Sequence, residues 1–254
     1  MQAILTALPD FPLVKPGDDI AALILERLAA TSIALQDDDI LVIAHKIISK
    51  AEGRLIELAD VTPSAEAERL AAVVGKDPRF LELVLRESVE VLRTRPGLIV
   101  TEQRLGWVVA NAAIDRSNIF SGEDQEQVAL LPLDPDASAA RLRARLLEVT
   151  GARVAVIVND THGRPFRVGV IGVAIGVAGI APVSDLRGEP DLFGYVMQTT
   201  ESAAADEIAS AASMLQGQTG QGRPVVHIRG VPFRRDEHAT SRALVRPKEL
   251  DMFR

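Results

Sequence analysis

The spacing of hydrophobic and polar positions changes along this chain, and each change marks an element. In "DDIAALILERLAATS", from position 18, Ile20, Leu23, Ile24 and Leu28 recur at helical spacing, and Asp18 or Asp19 supplies a cap. The unbroken apolar run 40–44 reads as a buried strand leading into a polar loop or a helix start at His45. "SAEAERLAAVVG" fits a short helix from Ser64. "DPRFLELVLRESVEVLRTRPG" predicts one long helix. Asp77 caps it, Pro78 fills its first turn, and Leu81, Val84, Leu85, Ser88, Val89 and Leu92 share a face until Pro96-Gly97 stops it. Positions 97–119 read as strand, turn, strand. A helix from Asp136 to Thr150 ends at Gly151. A strand over 154–158, a glycine-rich stretch, an alanine-rich helix stopped by Gly217 and a short strand in "RPVVHIRGV" complete the pattern. There is no internal repeat and no low-complexity linker. Strands and helices alternate, so the fold class is α/β or α+β. Gly169, Gly172, Ala174, Gly176, Ala178 and Gly179 imply backbones in close approach, either across a subunit interface or within a glycine-rich strand.

Composition narrows the function. With 254 residues, 47% of them hydrophobic, the chain buries a sizeable core, and 4% aromatic content makes that core aliphatic. The net charge of −7 argues against nonspecific nucleic-acid binding, which needs a basic surface. It leaves room for a local basic pocket for a phosphorylated small molecule. The absence of cysteine excludes disulfides, zinc–thiolate sites and iron–sulfur clusters, and fits a reducing compartment. The N-terminal stretch has no basic n-region, and Gln2, Thr6 and Pro9 interrupt its apolar residues. The longest apolar stretch, from Val168, is broken by glycines and shorter than the roughly 20 residues of a membrane helix. The expectation is a soluble, cytoplasmic protein without a membrane or nucleic-acid partner.

Four stretches set polar residues at the end of an apolar run. "LVIAHKIISKAEGR" places Lys46 and Lys50 four apart, with His45 and Ser49 among them; lysines after a buried strand suit phosphate, or else a solvated face. "WVVANAAIDRSNI" gathers Asn111, Asp115, Arg116, Ser117 and Asn118. Asp115 is a candidate ligand for a hard cation, or the acceptor of a local Asx turn. "VIVNDTHGRPFRVG" is the least ordinary. Asp160 stands where a buried strand emerges, the position at which open α/β sheets bind ligands. Asp160 and Thr161 are adjacent oxygen donors of the kind Mg²⁺ and Mn²⁺ prefer. Arg164 and Arg167 suit phosphate or carboxylate, and His162 suits a surface or hydrogen-bonding role ahead of metal binding. The fourth stretch runs from Glu201, near the expected helix start, to a loop of Gln216, Gly217, Gln218, Thr219 and Gly220 able to approach a base or phosphate. Asp206 and Glu207 are adjacent and point apart.

No nucleotide-binding glycine loop, H-E-x-x-H or nucleophile elbow is present. Two acids that can meet, with lysines, arginines and no nucleophile, point to metal-assisted phosphoryl chemistry. Taken in order, "FPLVKPGDD", "DDILVIAHKIISKAEGR", "LIVTEQRLGWVVANAAIDRSNI", "VIVNDTHGRPFRVG", "DLRGEPDLFG" and "TESAAADEIASAASMLQGQ" resemble the coenzyme F420-0:L-glutamate ligases, the γ-glutamyl ligases of F420 biosynthesis. The likeness spans nearly the whole chain. It implies a single ligase domain over 1–254, allowing two subdomains, with no fused flavin reductase domain. It also implies an unusual α/β fold and an intertwined homodimer. The implied reaction is GTP-dependent ligation of L-glutamate to F420-0, then often of a second glutamate by γ-linkage, with Mg²⁺ or Mn²⁺ at two sites and K⁺ as a further candidate. Asp115 and Asp160 would hold one metal, and Thr161 and Gln218 a second. Pro12, Leu13, Val14, His45, Lys50, Asn118 and the loop Met214, Leu215, Gln216, Gly217, Gln218, Thr219, Gly220 and Gln221 would form the GTP site. Lys50, Asp115, Asp160 and Arg164 are the candidate catalytic residues, Arg164 by the chemistry of its side chain and not by the resemblance. The alternatives are a nucleotide- and metal-dependent ligase for another acid and amine, and a nucleotide-binding protein without catalysis. The chain has Ala44-His45-Lys46 where the family usually has Thr-Ser-Lys.

Overall fold

A five-stranded sheet organises the computed structural model, which describes residues 1–119 and 126–252. Across the sheet run β1 (Ile4–Ala7), β12 (Val225–Arg229), β2 (Ile40–Ala44), β8 (Ala155–Arg164) and β9 (Arg167–Ala178). β2 and β8 are parallel, with Ile40 opposite Ala155 and Ala44 opposite Asn159. The other pairs are antiparallel. Both faces are covered, so β2 and residues 155–158 of β8 are apolar at every position instead of alternating. Leu41, Ile43, Val156 and Val158 face a core shared with α1 (Ile20–Ala30), α2 (His45–Ala51) and α5 (Pro135–Thr150). Ile40, Val42, Ala155 and Ile157 face a second core built on α6 (Ala204–Gln216). Each Val, Leu or Ile among them, buried completely, contributes roughly 1.5–3 kcal/mol.

Between α2 and α5 the chain builds a third core. It passes through β3 (Leu55–Glu57), α3 (Ala65–Val74), α4 (Pro78–Arg86), β4 (Ser88–Arg95), β5 (Leu98–Gln103) and β6 (Val108–Ala110), and returns through β7 (Gln127–Ala129). Leu58, Leu70, Phe80, Leu81, Val84, Ile99 and Val128 fill it. β4, β5 and β6 make an antiparallel sheet, and β3 pairs with β7. β10 (Ser184–Asp185) and β11 (Glu201–Ser202) form a small separate ribbon. The chain is thus a mixed α/β protein.

The predicted caps are present. Asp19 accepts from Ala22 N–H, Ser64 from Ala67 N–H and Asp77 from Arg79 N–H, and Gly151 closes α5 in the left-handed conformation. The long helix predicted from Pro78 through Leu92 is not. It ends at Arg86, and Ser88–Arg95 is a strand paired with β5. Two register shifts in that pairing, at Ser88/Glu90 and Val91/Arg93, break the two-residue alternation that would have marked a strand. Glu201 lies in β11, not at the start of α6, whose first turn holds Asp206 and Glu207. The strand predicted over 154–158 continues to Arg164.

The glycine-rich stretch is β9, and its close approaches are within the chain. A Cβ at Gly172 would lie 2.5 Å from the Ala209 carbonyl oxygen of α6, and one at Gly176 would lie 2.5 Å from the Pro135 main chain of α5. These two glycines serve opposite faces because the pairing skips a residue between Ala174 and Gly176. Among the described residues no helix is long and apolar enough to cross a membrane.

Candidate functional site

β2 ends at Ala44 and α2 begins at the next residue. Two consecutive side chains of this first turn each meet one of the two predicted acids. His45 Nε2 lies 3.3 Å from Asp160 Oδ1, and Lys46 Nζ lies 2.6 Å from Asp115 Oδ2.

Asp160 is brought there by its strand, and Asp115 by an isolated β-bridge. β8 runs past the end of its parallel neighbour β2, so Asp160 follows directly on the last paired position, Asn159. Alternation places Asp160 and His162 on the face of Val156 and Val158, above α2. His162 Nε2 is 3.0 Å from Asp160 Oδ2, and Thr161 N–H donates to Oδ1 at 2.7 Å. The His45 approach to Asp160 is electrostatic, without the alignment of a hydrogen bond. Asp115 is pinned through its main chain. Its N–H donates to the Ala129 carbonyl at 3.0 Å and its carbonyl accepts from Ala129 N–H at 2.8 Å, which attaches it to β7. β7 pairs with β3, and β3 follows α2 by a short turn. Its side chain accepts from Ser117 N–H at 2.7 Å, so the predicted Asx turn forms, and it is also ion-paired to Lys46. Lys46 donates to Ser117 Oγ at 2.7 Å.

The contacts continue to the far loop. Lys50 donates to the Asn118 carbonyl oxygen at 2.7 Å, and the Asn118 amide donates to the Thr219 carbonyl oxygen at 3.1 Å. His45, Lys46, Lys50, Asp115, Ser117, Asn118, Asp160 and Thr219 therefore form one connected constellation. Thr161 alternates to the other face, with Asn159. Gln218 donates to Ser213 Oγ at 3.0 Å at the end of α6.

Other predicted positions sit elsewhere. Gln216 is buried: its oxygen accepts from Asn159, and its amide donates to the carbonyls of Pro224 and Val42. That side chain ties α6 to the sheet. Val14 is in the first core, while Pro12, Leu13 and Met214 are exposed. Gly217 closes α6 with positive φ, and Gly220 and Gln221 are exposed beyond it, with Leu215 partly buried. Arg164 lies four residues beyond Asp160, roughly 13 Å along the strand, next to the β8–β9 turn.

Burial opposes charge on Asp160, but His45 and His162 outweigh it and hold the carboxyl well below the usual range. Burial likewise raises Asp115, and Lys46 with the Ser117 N–H bring it below its ordinary value. The Lys50 ammonium is pushed down by burial and by the charge of Lys46. Both acids are thus anionic at neutral pH and countered by neighbouring side chains. They are hard oxygen donors of the sort that hold Mg²⁺ or Mn²⁺ through one or two carboxylates, with water and substrate phosphate completing the shell. The described residues contain no cluster of three or more acidic, histidine or cysteine side chains that would cage a metal by themselves. The donor set fits a cation shared with a phosphorylated ligand better than a protein-only site.

Sequence reasoning gave Lys46 no partner. Its pairing with Asp115 depends on the β3–β7 contact, which joins segments far apart in sequence. It also missed Lys76, on the opposite side of the Asp115 segment. Lys76 Nζ donates to Asn111 Oδ1 at 2.5 Å, beside Asn111, Ala112 and Ala113, which all have positive φ. Three consecutive left-handed residues with side chains cost about 1–2 kcal/mol each. The adjacent Gly75-Lys76-Asp77 ahead of Pro78 is the sequence signal that could have drawn attention there.

The family description F420-0:Gamma-glutamyl ligase matches residues 10–230. The chain is 49% identical over 247 residues to the coenzyme F420:L-glutamate ligase of Methanothermobacter thermautotrophicus, covering 96% of this chain and 95% of that protein. It is 46% identical over 244 residues to the protein of that name from Methanopyrus kandleri, covering 95% and 93%. With the Archaeoglobus fulgidus protein of that name it shares 46% over 220 residues, covering 87% and 84%.

Proposed function

Because the chain belongs to the F420-0:gamma-glutamyl ligase family and is a ligase of coenzyme F420 biosynthesis, we propose that it joins L-glutamate to F420-0 at the expense of GTP. A carboxylate is a poor electrophile. An oxygen of the F420-0 terminal carboxylate attacks the γ-phosphorus of GTP, GDP leaves, and an acyl phosphate results. The glutamate α-amine then attacks the acyl carbon, the C–O bond to phosphate breaks, inorganic phosphate departs, and the amine loses its proton as the amide forms. A second glutamate adds by a γ-linkage in the same two steps.

The observation that carries this reading is the convergence of Asp115 and Asp160 on consecutive residues of α2, with Lys50 and Asn118 bridging to the loop at Thr219. Lys46 and Lys50 supply fixed positive charge for phosphate oxygens. Asn118, Pro12 to Val14 and the 214–221 loop hold the nucleotide. Asp115 and Asp160 would hold one Mg²⁺ or Mn²⁺, and Thr161 and Gln218 a second, K⁺ being a further candidate. When bound, such ions neutralise phosphate charge and align donor with acceptor. Exposed Val168, Leu192, Phe193 and Tyr195 on the β9 start and the 186–200 segment support a homodimer.

The test is direct. Protein incubated with F420-0, L-glutamate, GTP and Mn²⁺ releases GDP and yields a product heavier by one glutamyl unit, read by mass spectrometry. GDP release without ligated product overturns the reading. A panel of other acids and amines, read the same way, identifies a ligase of different substrates.

A further inference from the structure

A cavity of about 540 Å³ opens on the third-core side of Asp115, and its wall includes Lys76, Asp77, Phe80, Asn111, Asp115 and Arg116. It shares Asp115 with the constellation described above, so a ligand in it ends where the phosphoryl chemistry is placed.

The wall carries two cations set by one ring. Lys76 Nζ lies 5.6 Å and the Arg116 guanidinium carbon 4.5 Å from the Phe80 centroid. Contact with an aromatic face orients both and restricts where their charge can go. The acids of the wall already have partners: Asp77 is held by Arg79 at 2.6 Å and Asp115 by Lys46 at 2.6 Å. Arg116 takes Glu126 at 2.7 Å through Nη1, leaving the remainder of a five-donor fork. Lys76 has no ion pair among the described residues and donates to the neutral amide of Asn111. Burial and the charge of Arg116 both push its ammonium down, as expected of a cation lacking a counter-charge. The left-handed turn at Asn111–Ala113 sets that amide against Lys76, and backbone strain of this kind collects at ligand sites.

We propose that this cavity is the subsite for the incoming α-amino dicarboxylate, with Lys76 and Arg116 receiving its carboxylates and its amine directed towards Asp115. Two cations complement a molecule bearing two carboxylates better than they complement a singly charged phosphodiester. The volume exceeds that of one amino acid and leaves space for the end of the acceptor that is to be attacked. This assignment rests on the ligase reading above and names the subsite which that reading leaves open.

Steady-state kinetics of Lys76→Met and Arg116→Gln test it. Loss of one charge-assisted contact raises KM for L-glutamate at least about tenfold. KM for GTP and for F420-0 stays near the wild-type value. Asn111→Asp removes no cation but neutralises Lys76, and raises the same KM even if Lys76→Met fails to fold. An unchanged KM for glutamate in folded variants overturns the assignment, as does a rise confined to F420-0, which would make the cavity the acceptor's. Equilibrium dialysis of radiolabelled L-glutamate against wild type and Lys76→Met keeps the two ideas separate. Wild type without ligation but with Lys76-dependent glutamate binding sinks the reaction and retains the cavity. Ligation by wild type with unaltered binding in the variant does the reverse.

Discussion

Lys46 Nζ lies 2.6 Å from Asp115 Oδ2, an ion pair between residues of separate segments with both side chains about three-quarters buried. Its chain neighbour His45 faces Asp160, so one helical turn supplies a partner to each acid. Asp115 is held by its main chain to β7 and Asp160 by the β8 ladder, and neither depends on its carboxylate for its place.

Asp115→Asn is therefore expected to fold and to fail catalytically. The main-chain bonds to Ala129 persist, and the charge facing the phosphoryl group is lost. Removal of one preorganised electrostatic contact lowers kcat by about 10²–10³. The check is GDP release at saturating GTP, alongside an unfolding midpoint by circular dichroism. A variant within twofold of wild-type kcat would remove Asp115 from the mechanism.

Lys50→Met separates nucleotide binding from stability. Lys50 bonds one carbonyl, that of Asn118, and burial already disfavours its charge. Its loss should raise the GTP dissociation constant by about 10-fold or more, the effect of one charge-assisted contact. Unfolding in urea should change little. Titration calorimetry with GTP and Mn²⁺ reads the first quantity, and equal affinity for wild type and variant would exclude Lys50 from the nucleotide site.

Gly172→Ala tests how β9 supports the site. The new methyl group would meet the Ala209 carbonyl at 2.5 Å and Asn159 Oδ1 at 2.8 Å, so α6 must move away from the sheet. Overpacking of this kind costs about 1–3 kcal/mol. Because α6 delivers the loop at Gln218 and Thr219, GTP affinity should fall together with stability. Urea unfolding and nucleotide titration on the same samples give both quantities, and a stable variant with intact GTP binding would show that α6 is not held this closely.

These three predictions draw on unequal shares of sequence and structure. α1, α5 and α6 were legible because caps and glycine stops are local: Asp19, Gly151 and Gly217 act on their own turns. β4 was not, since the helical spacing of Leu81, Val84 and Leu85 continues by coincidence into Ser88, and the bulges hide the strand. The acids were legible as candidates because carboxylates beside buried strands are costly without a purpose. Their partners were not, because Lys46 and Asp115 meet only through the pairing of β3 with β7. Gln216 shows the converse: a glutamine in a polar loop pattern proves to be a buried tie between Asn159 and the carbonyls of Val42 and Pro224.

The apolar surface makes a separate prediction. Leu192 and Phe193 are 98% and 95% exposed, close to Tyr195 in sequence. Apolar side chains this exposed suit an interface, and the proposed homodimer would supply their cover. Sedimentation equilibrium should give twice the chain mass for wild type, and Phe193→Asp should shift the balance to monomer. A wild-type monomer at micromolar concentration would leave the dimer unsupported.

Stability should depend on acid pH through Asp39. This carboxylate is 1% exposed, at the start of β2. Arg229 grips it with Nε at 2.8 Å and Nη2 at 2.7 Å, His227 Nε2 is 2.9 Å away, and Gln36 N–H donates to it at 2.9 Å. Burial raises its pKa, but Arg229, His227 and the Gln36 amide together bring it below the ordinary 3.8. A carboxyl depressed on folding contributes stability above its unfolded pKa and loses it as pH falls through the folded value. Asp39→Asn should therefore cost roughly 2–3 kcal/mol at pH 7, below the figure for a fully buried pair because Arg229 reaches solvent. At pH 3, below the ordinary value of 3.8, the wild-type advantage should shrink. Urea unfolding of both proteins at pH 7 and pH 3 measures the difference. A gap that stays constant between the two pH values would mean that the charge of Asp39 contributes nothing, and that the aspartate serves only as a hydrogen-bond acceptor joining β12 to β2.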